Sequence, residues 1–206
     1  MQDDRQIAGV ETVAEEDRLR AQLYALIARA LAEAPDAPFL TMLQHLRGDE
    51  TLIGRAFGAI AEAARDMTVA DAEEEYSLLF YGMGQGGEVL PYASYYLTGN
   101  LNDRPLVRLR ADMERFGIVH AGHNGEPEDH IAYLMEMMHG LILGTFTDAP
   151  LDLGGQMAFY ATHLSPWAGE FFNDLKAAPS AGLYRAIAEL GNAFLIVEGD
   201  AFAMAA

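Results

Sequence analysis

The run IAYLMEMMHGLIL, residues 131–143, has almost no polar side. At 100° per residue, Ile131, Leu134, Met135, Met138 and Ile142 share one helical face. His130, Tyr133, Met137 and Gly140 make a second stripe beside it, which leaves a narrow polar strip near Glu128, Glu136 and His139. A helix apolar around most of its girth belongs in the middle of a fold. The spacing predicts this helix from about Pro127 to Leu143, so its first turn leaves the core carrying Glu128, Asp129 and His130, with Glu126 just ahead. Carboxylates and a proline suit a helix N-terminus, where they complement the macrodipole. A cationic histidine does not suit that end, and His130 therefore calls for another explanation.

Helical periodicity governs the rest of the chain. From Thr12 to Glu33 the apolar stripe is Leu19, Leu23, Leu26, Ile27, Ala30 and Leu31, with Thr12 and Glu15 at capping-box spacing. Pro35 and Pro38 open a short second helix to Leu46, and further helices are expected over 52–65 and 69–81. GMGQGGEVLPYASYYLTGN, from Gly82 to Asn100, reads as a long loop of the functional kind. Asp103 and Pro105 start a fifth helix ending at Gly117, Asp152 caps a seventh, Ser165 and Pro166 begin an eighth, and a last covers about 181–198. Strand alternation is nearly absent. The expectation is an all-α protein, a single compact bundle of about eight or nine helices with a long loop between helices four and five. Residues 1–11 read as a flexible N-terminus, 12–200 as the helical domain with a soft boundary in the 117–126 linker, and 201–206 as a tail.

Composition narrows the function. The 206 residues are 51% hydrophobic, enough for a sizeable core, and cysteine is absent, which excludes disulfides, thiolate metal sites and a cysteine nucleophile. The net charge is −18, with 31 acidic against 13 basic residues, so nucleic acid is a poor partner and a cationic ligand is drawn in. The N-terminus has no basic stretch followed by an apolar core, and no apolar run reaches the roughly 18 residues needed to span a bilayer. The expected setting is the cytoplasm, without membrane insertion.

Several stretches invite chemistry. His120 and His123 stand at H-x-x-H spacing ahead of Asp129 and His130, which suggests a helical metalloprotein or small metal-dependent hydrolase, although the first two lie in a glycine-containing linker. GMGQGG lacks the preceding strand and following lysine of a phosphate loop. The LPYASYY stretch groups Tyr92, Tyr95 and Tyr96 around Ser94, aromatics that often anchor interfaces. Carboxylates and a histidine at the lip of a Met-rich apolar core suit a partner both cationic and apolar.

Three segments together resemble a known family. EEEYSLLFYGMGQGGEVLPYASYYL at 73–97 is similar to its E-Y-x-x-L-F … P-Y-x-S-x-Y segment, GEPEDHIAYLMEMM at 125–138 to its E-P-x-D-H helix, and HLSPWAGEFFNDL at 163–175 to its H-L-x-x-W segment. The family is the TorD/DmsD/NarJ-like redox-enzyme maturation chaperones. The resemblance implies a cytoplasmic chaperone, not an enzyme and without a cofactor of its own. It binds the twin-arginine signal peptide or the apo form of a molybdoenzyme, assists cofactor insertion and delays export until maturation. A formate dehydrogenase or similar reductase is the client it suggests, and the family includes both monomers and domain-swapped dimers. Its signal-peptide site falls on Tyr92, Ser94, Glu126, Pro127, Asp129 and His130, with Tyr76, Phe80 and Pro91 lining the neighbouring apolar groove.

Overall fold

Short polar side chains set many of the helix starts. Asp36, Thr51, Thr68 and Asp152 each accept a hydrogen bond from the backbone N–H three residues on, satisfying a donor the helix leaves open. Asp71 completes a capping box by accepting from the Thr68 N–H at 2.9 Å. The computed structural model describes residues 13–82, 86–119, 126–146 and 149–205. Within them lie ten helices: α1 Glu15–Ala32, α2 Ala37–Gln44, α3 Leu52–Ala64, α4 Val69–Phe80, α5 Ala93–Thr98, α6 Arg104–Arg115, α7 Ile131–Leu143, α8 Leu153–His163, α9 Ala168–Ala177 and α10 Leu183–Ala205. No strand is present among the described residues; the all-helical expectation holds.

The apolar helix α7 is the central one, with Ile131, Leu134, Met135 and Met138 fully buried. It packs most extensively against α1, while α10 runs along α3 and α9. Phe146 lies against α7 at Gly140, where a Cβ would meet its ring, and Gly144 ends the helix in the left-handed region at φ 73°.

Buried polar groups lock the helices together. Glu75 on α4 accepts hydrogen bonds from the N–H groups of Gly182, Leu183 and Tyr184 at 2.8–3.1 Å, and so caps α10 from a distance. The Tyr76 and Tyr184 hydroxyls donate to the carbonyls of Leu31 and Ala30, which the end of α1 would otherwise leave open. Glu198, 1% exposed, takes Arg20 at 2.7 Å and the Tyr24 hydroxyl at 2.9 Å, joining α1 to α10.

The structure departs from the sequence expectations in five places. The stretch 82–100 is not all loop, because Ala93–Thr98 forms α5. The central helix begins at Ile131 rather than near Pro127, so Glu126, Glu128 and Asp129 precede it. α10 continues through the expected tail to Ala205 and buries Phe202. Leu19 of the expected α1 stripe is exposed, and Tyr24 is fully buried. Met135, Met137 and Met138 are core residues, so the Met-rich run offers a partner no adaptable surface. The expected flexible residues 1–11, Thr12 of the expected capping box, positions 83–85 of the glycine loop, and His120 and His123 lie outside the described residues.

Candidate functional site

Two chain segments cross just before α7. The Ile131 N–H donates to the Pro91 carbonyl at 2.8 Å and the Ala93 N–H to the Asp129 carbonyl at 3.0 Å, so that Tyr92 and His130 stand opposite each other as an isolated antiparallel bridge. Both neighbouring helices take a cap from this crossing. Tyr92, at the N-cap of α5, makes no side-chain cap bond, and Asp129 Oδ2 instead accepts from the Ser94 N–H at 2.7 Å. His130 is the N-cap of α7, its Nδ1 accepting from the Ala132 N–H at 3.1 Å. An accepting Nδ1 carries no proton, so the ring is neutral with its hydrogen on Nε2. Burial pushes the His130 pKa down to about 4, in keeping with that state. The histidine that looked misplaced at a helix N-terminus is there as an acceptor, not as a cation.

A groove opens on one side of the crossing. Tyr76 and Phe80 from α4, Pro91 and Tyr92 from the incoming segment, and Glu126 and His130 from the other side line it, together with Tyr81 and Tyr133. The Tyr92 hydroxyl donates to Glu126, and its ring meets the His130 ring edge-on at 5.3 Å. Burial, then the Glu126 hydrogen bond, raises the Tyr92 pKa, so the phenol keeps its proton. Tyr76 stacks at a tilt on Phe80 at 4.8 Å and on Tyr81 at 5.9 Å. The free volume is about 30 Å³, room for a water or two at about 10–15 Å³ each but not for a peptide side chain. A peptide side chain must therefore displace an aromatic ring to enter, and Tyr81, 59% exposed, has room to move.

The structure sorts the sequence candidates into two sets. Tyr76, Phe80, Pro91, Tyr92, Glu126 and His130 meet in the groove. Ser94 and Asp129 do not: they are 0% and 1% exposed and hold the crossing together. Pro127 lies between the sets, its carbonyl accepting from the His130 N–H at 3.2 Å. Glu128 pairs with Arg110 at 2.7 Å. The sequence reading missed Tyr81 and Tyr133 as groove residues. Tyr133 stands three residues after His130, which was a usable signal, whereas Tyr81 follows the end of α4 and had none.

The metal arrangement does not assemble within what is described. Among the described residues no three His, Asp or Glu side chains group to hold a metal. Asp129 Oδ2 and His130 Nδ1 are already engaged with backbone N–H groups, and His120 and His123 lie outside the described residues.

The fold has a solved counterpart. A redox enzyme maturation protein from Archaeoglobus fulgidus superposes with a TM-score of 0.56 over 92% of this chain and 99% of that one, at 18% identity. That likeness shows a shared all-helical fold. Residues 47–173, more than half of the sequence, match the family described as nitrate reductase delta subunit, and the chain belongs to that family, the TorD/NarJ group. The chaperone protein TorD of Photobacterium profundum is 33% identical over 123 residues, 56% of each chain. TorD of Vibrio cholerae (strain O395) is 29% identical over 175 residues, 80% of this chain and 79% of the other. The chain thus spans a little over half of one curated relative and about four-fifths of another. These relatives are chaperones, and the chain is a chaperone-family protein rather than an enzyme. No helix among the described residues is long and apolar enough to cross a membrane.

Proposed function

We propose that this protein grips the twin-arginine leader and the apo form of a molybdoenzyme in the cytoplasm, holding the client until its cofactor is inserted and export can proceed. The observation that carries this reading is the groove itself. It sets one carboxylate, Glu126, beside a neutral histidine and a wall of aromatic rings and proline. A guanidinium fits a carboxylate bidentately, and the apolar segment that follows in such a leader fits Tyr76, Phe80 and Pro91. Asp129 acts from behind: it fixes α5 and the crossing rather than touching the arginine. Within the molybdoenzymes, a formate dehydrogenase or similar reductase is the client class to try first.

Calorimetric titration of synthetic twin-arginine leaders, each paired with a twin-lysine version, tests the reading. One leader is expected to bind in the micromolar range or tighter, about −8 kcal/mol, and to weaken on Arg→Lys exchange because lysine loses the bidentate geometry. If no leader binds, or the lysine versions bind equally well, the groove is not a twin-arginine receptor.

A further inference from the structure

The opposite side of the crossing holds a second cavity that shares no lining residue with the groove. Its volume is about 220 Å³, below the roughly 300–1,000 Å³ of pockets for drug-sized ligands. Ala93, Leu97, Leu109 and Leu134 give it an apolar wall, and Asp129 and His163 contribute polar groups. Asp129 has a second oxygen to satisfy: Oδ2 bonds Ser94, while Oδ1 is the one buried side-chain oxygen or nitrogen among the described residues without a hydrogen-bond partner. A buried carboxylate oxygen left so is costly unless a donor reaches it.

Arg104 and Arg108 complete the lining. They stand one turn apart on α6, both exposed, and neither forms a salt bridge with another described residue, in contrast to Arg110, which pairs with Glu128. α6 carries four of the 13 basic residues of a chain whose net charge is −18. An unpaired pair of guanidinium groups in so acidic a protein is a local attraction for an anion.

We propose that this cavity binds a small zwitterion of amino-acid size: an N–H donor on Asp129 Oδ1, an apolar body against Leu97, Leu109 and Leu134, and a carboxylate held by Arg104 and Arg108. A lone cation would leave the two arginines unanswered, and a lone anion would leave the aspartate so. The ligand is either a free apolar amino acid or the C-terminal residue of a peptide, which presents a carboxylate and a backbone N–H. The site does not depend on the leader reading, since the groove lies on the other side of the crossing.

Trp167 is a built-in reporter, being the single tryptophan, with its indole N–H donating at 2.7 Å to the carbonyl of His163, a wall residue. Free L-leucine, L-methionine and L-phenylalanine are the probes, with leucinamide, N-acetyl-leucine and glycyl-leucine for comparison. A saturable change in Trp167 emission with the free amino acids is expected, and leucinamide should bind about tenfold weaker or worse for want of the charged contact. N-acetyl-leucine and glycyl-leucine separate the sources. Loss of both together with binding of leucine assigns a free amino acid, and binding of both as tight as leucine assigns a peptide C-terminus. The double variant Arg104→Gln/Arg108→Gln should lose about tenfold or more in affinity for the carboxylate-bearing probes while its melting temperature and its leader titration stay as in the wild type. No saturable response up to about 10 mM of any probe, or a response that survives the double arginine substitution, overturns the proposal.

Discussion

His130 carries two roles in one ring, and both require it to be neutral. Its Nδ1 caps α7, and its face meets Tyr92 and Tyr133 inside the groove. The pKa of about 4 in the fold lies below the ordinary 6.5. Between those values only the unfolded chain takes up the proton, so this contribution to stability is complete above about pH 6.5 and is lost as the pH falls toward 4. At 1.36 kcal/mol per unit the full shift is at most about 3 kcal/mol, and the partial exposure of the ring reduces it. His163, also lowered by burial, adds to the same acid limb. His130→Asn keeps a side-chain acceptor at the cap and removes the titration. Denaturant melts of the two proteins should therefore converge between pH 7 and 4.5, with the wild type losing the greater share of its stability. Parallel pH curves would mean that the ring takes up its proton as readily in the fold as in the unfolded chain. Glu126 gives the companion test at this scale. Glu126→Gln preserves size and a hydrogen bond to Tyr92 but deletes the charge, and leader affinity should fall by about 1.5–3 kcal/mol, read by calorimetry, with stability almost unchanged.

At the scale of elements, the caps come from far away in sequence, and this determines what could be read beforehand. α2, α3, α4, α6 and α8 start at an Asp or Thr next to the helix, and the sequence announces them. α5 could not be seen, because its N-cap is a tyrosine and its acceptor, Asp129, lies 35 positions downstream. The start of α7 was misplaced because PEDH carries every local mark of a first turn. Instead Pro127 to His130 make a tight turn, closed by the His130 N–H on the Pro127 carbonyl, and the pairing of Asp129 and Ile131 with Ala93 and Pro91 holds the chain out of the helix until Ile131. The same separation explains the split among the site residues. Motif spacing grouped Ser94 and Asp129 with Tyr92, Glu126 and His130, but the turn at Glu128 and Asp129 brings the Asp129 carboxylate to the Ser94 N–H at the start of α5, away from the groove that His130 lines. Glu75 was likewise legible only as one acid in EEEY, although it holds three N–H groups of α10. Glu75→Ala should cost about 2–4 kcal/mol, more than an ordinary exposed cap, because those donors are partly or fully buried. Urea melts measure the loss, and amide exchange at residues 182–184 should rise with it. A cost under about 0.5 kcal/mol would show that solvent or another group takes over the cap.

For the whole molecule the governing quantity is charge. A chain at −18 attracts an arginine-rich leader from well beyond contact, but over a distance that salt sets, with a Debye length of about 10 Å at 0.1 M and 3 Å at 1 M. The groove presents a single carboxylate, Glu126, next to neutral aromatics, so the long-range pull comes from the surface at large and the holding force from a few close contacts. These two sources act on different rate constants, since diffuse charge steers encounter and buried or bidentate pairs set escape. Stopped-flow measurement of leader binding between about 0.05 and 0.5 M salt should therefore show the association rate falling about tenfold, with dissociation changed by less than about threefold. Glu126→Gln should do the reverse at any one salt concentration. It removes one unit of net charge out of 18, a small change in steering, but it deletes the guanidinium partner and so raises the dissociation rate about tenfold or more. If the variant slows association and leaves dissociation alone, Glu126 belongs to the diffuse field and the guanidinium is held elsewhere on the surface.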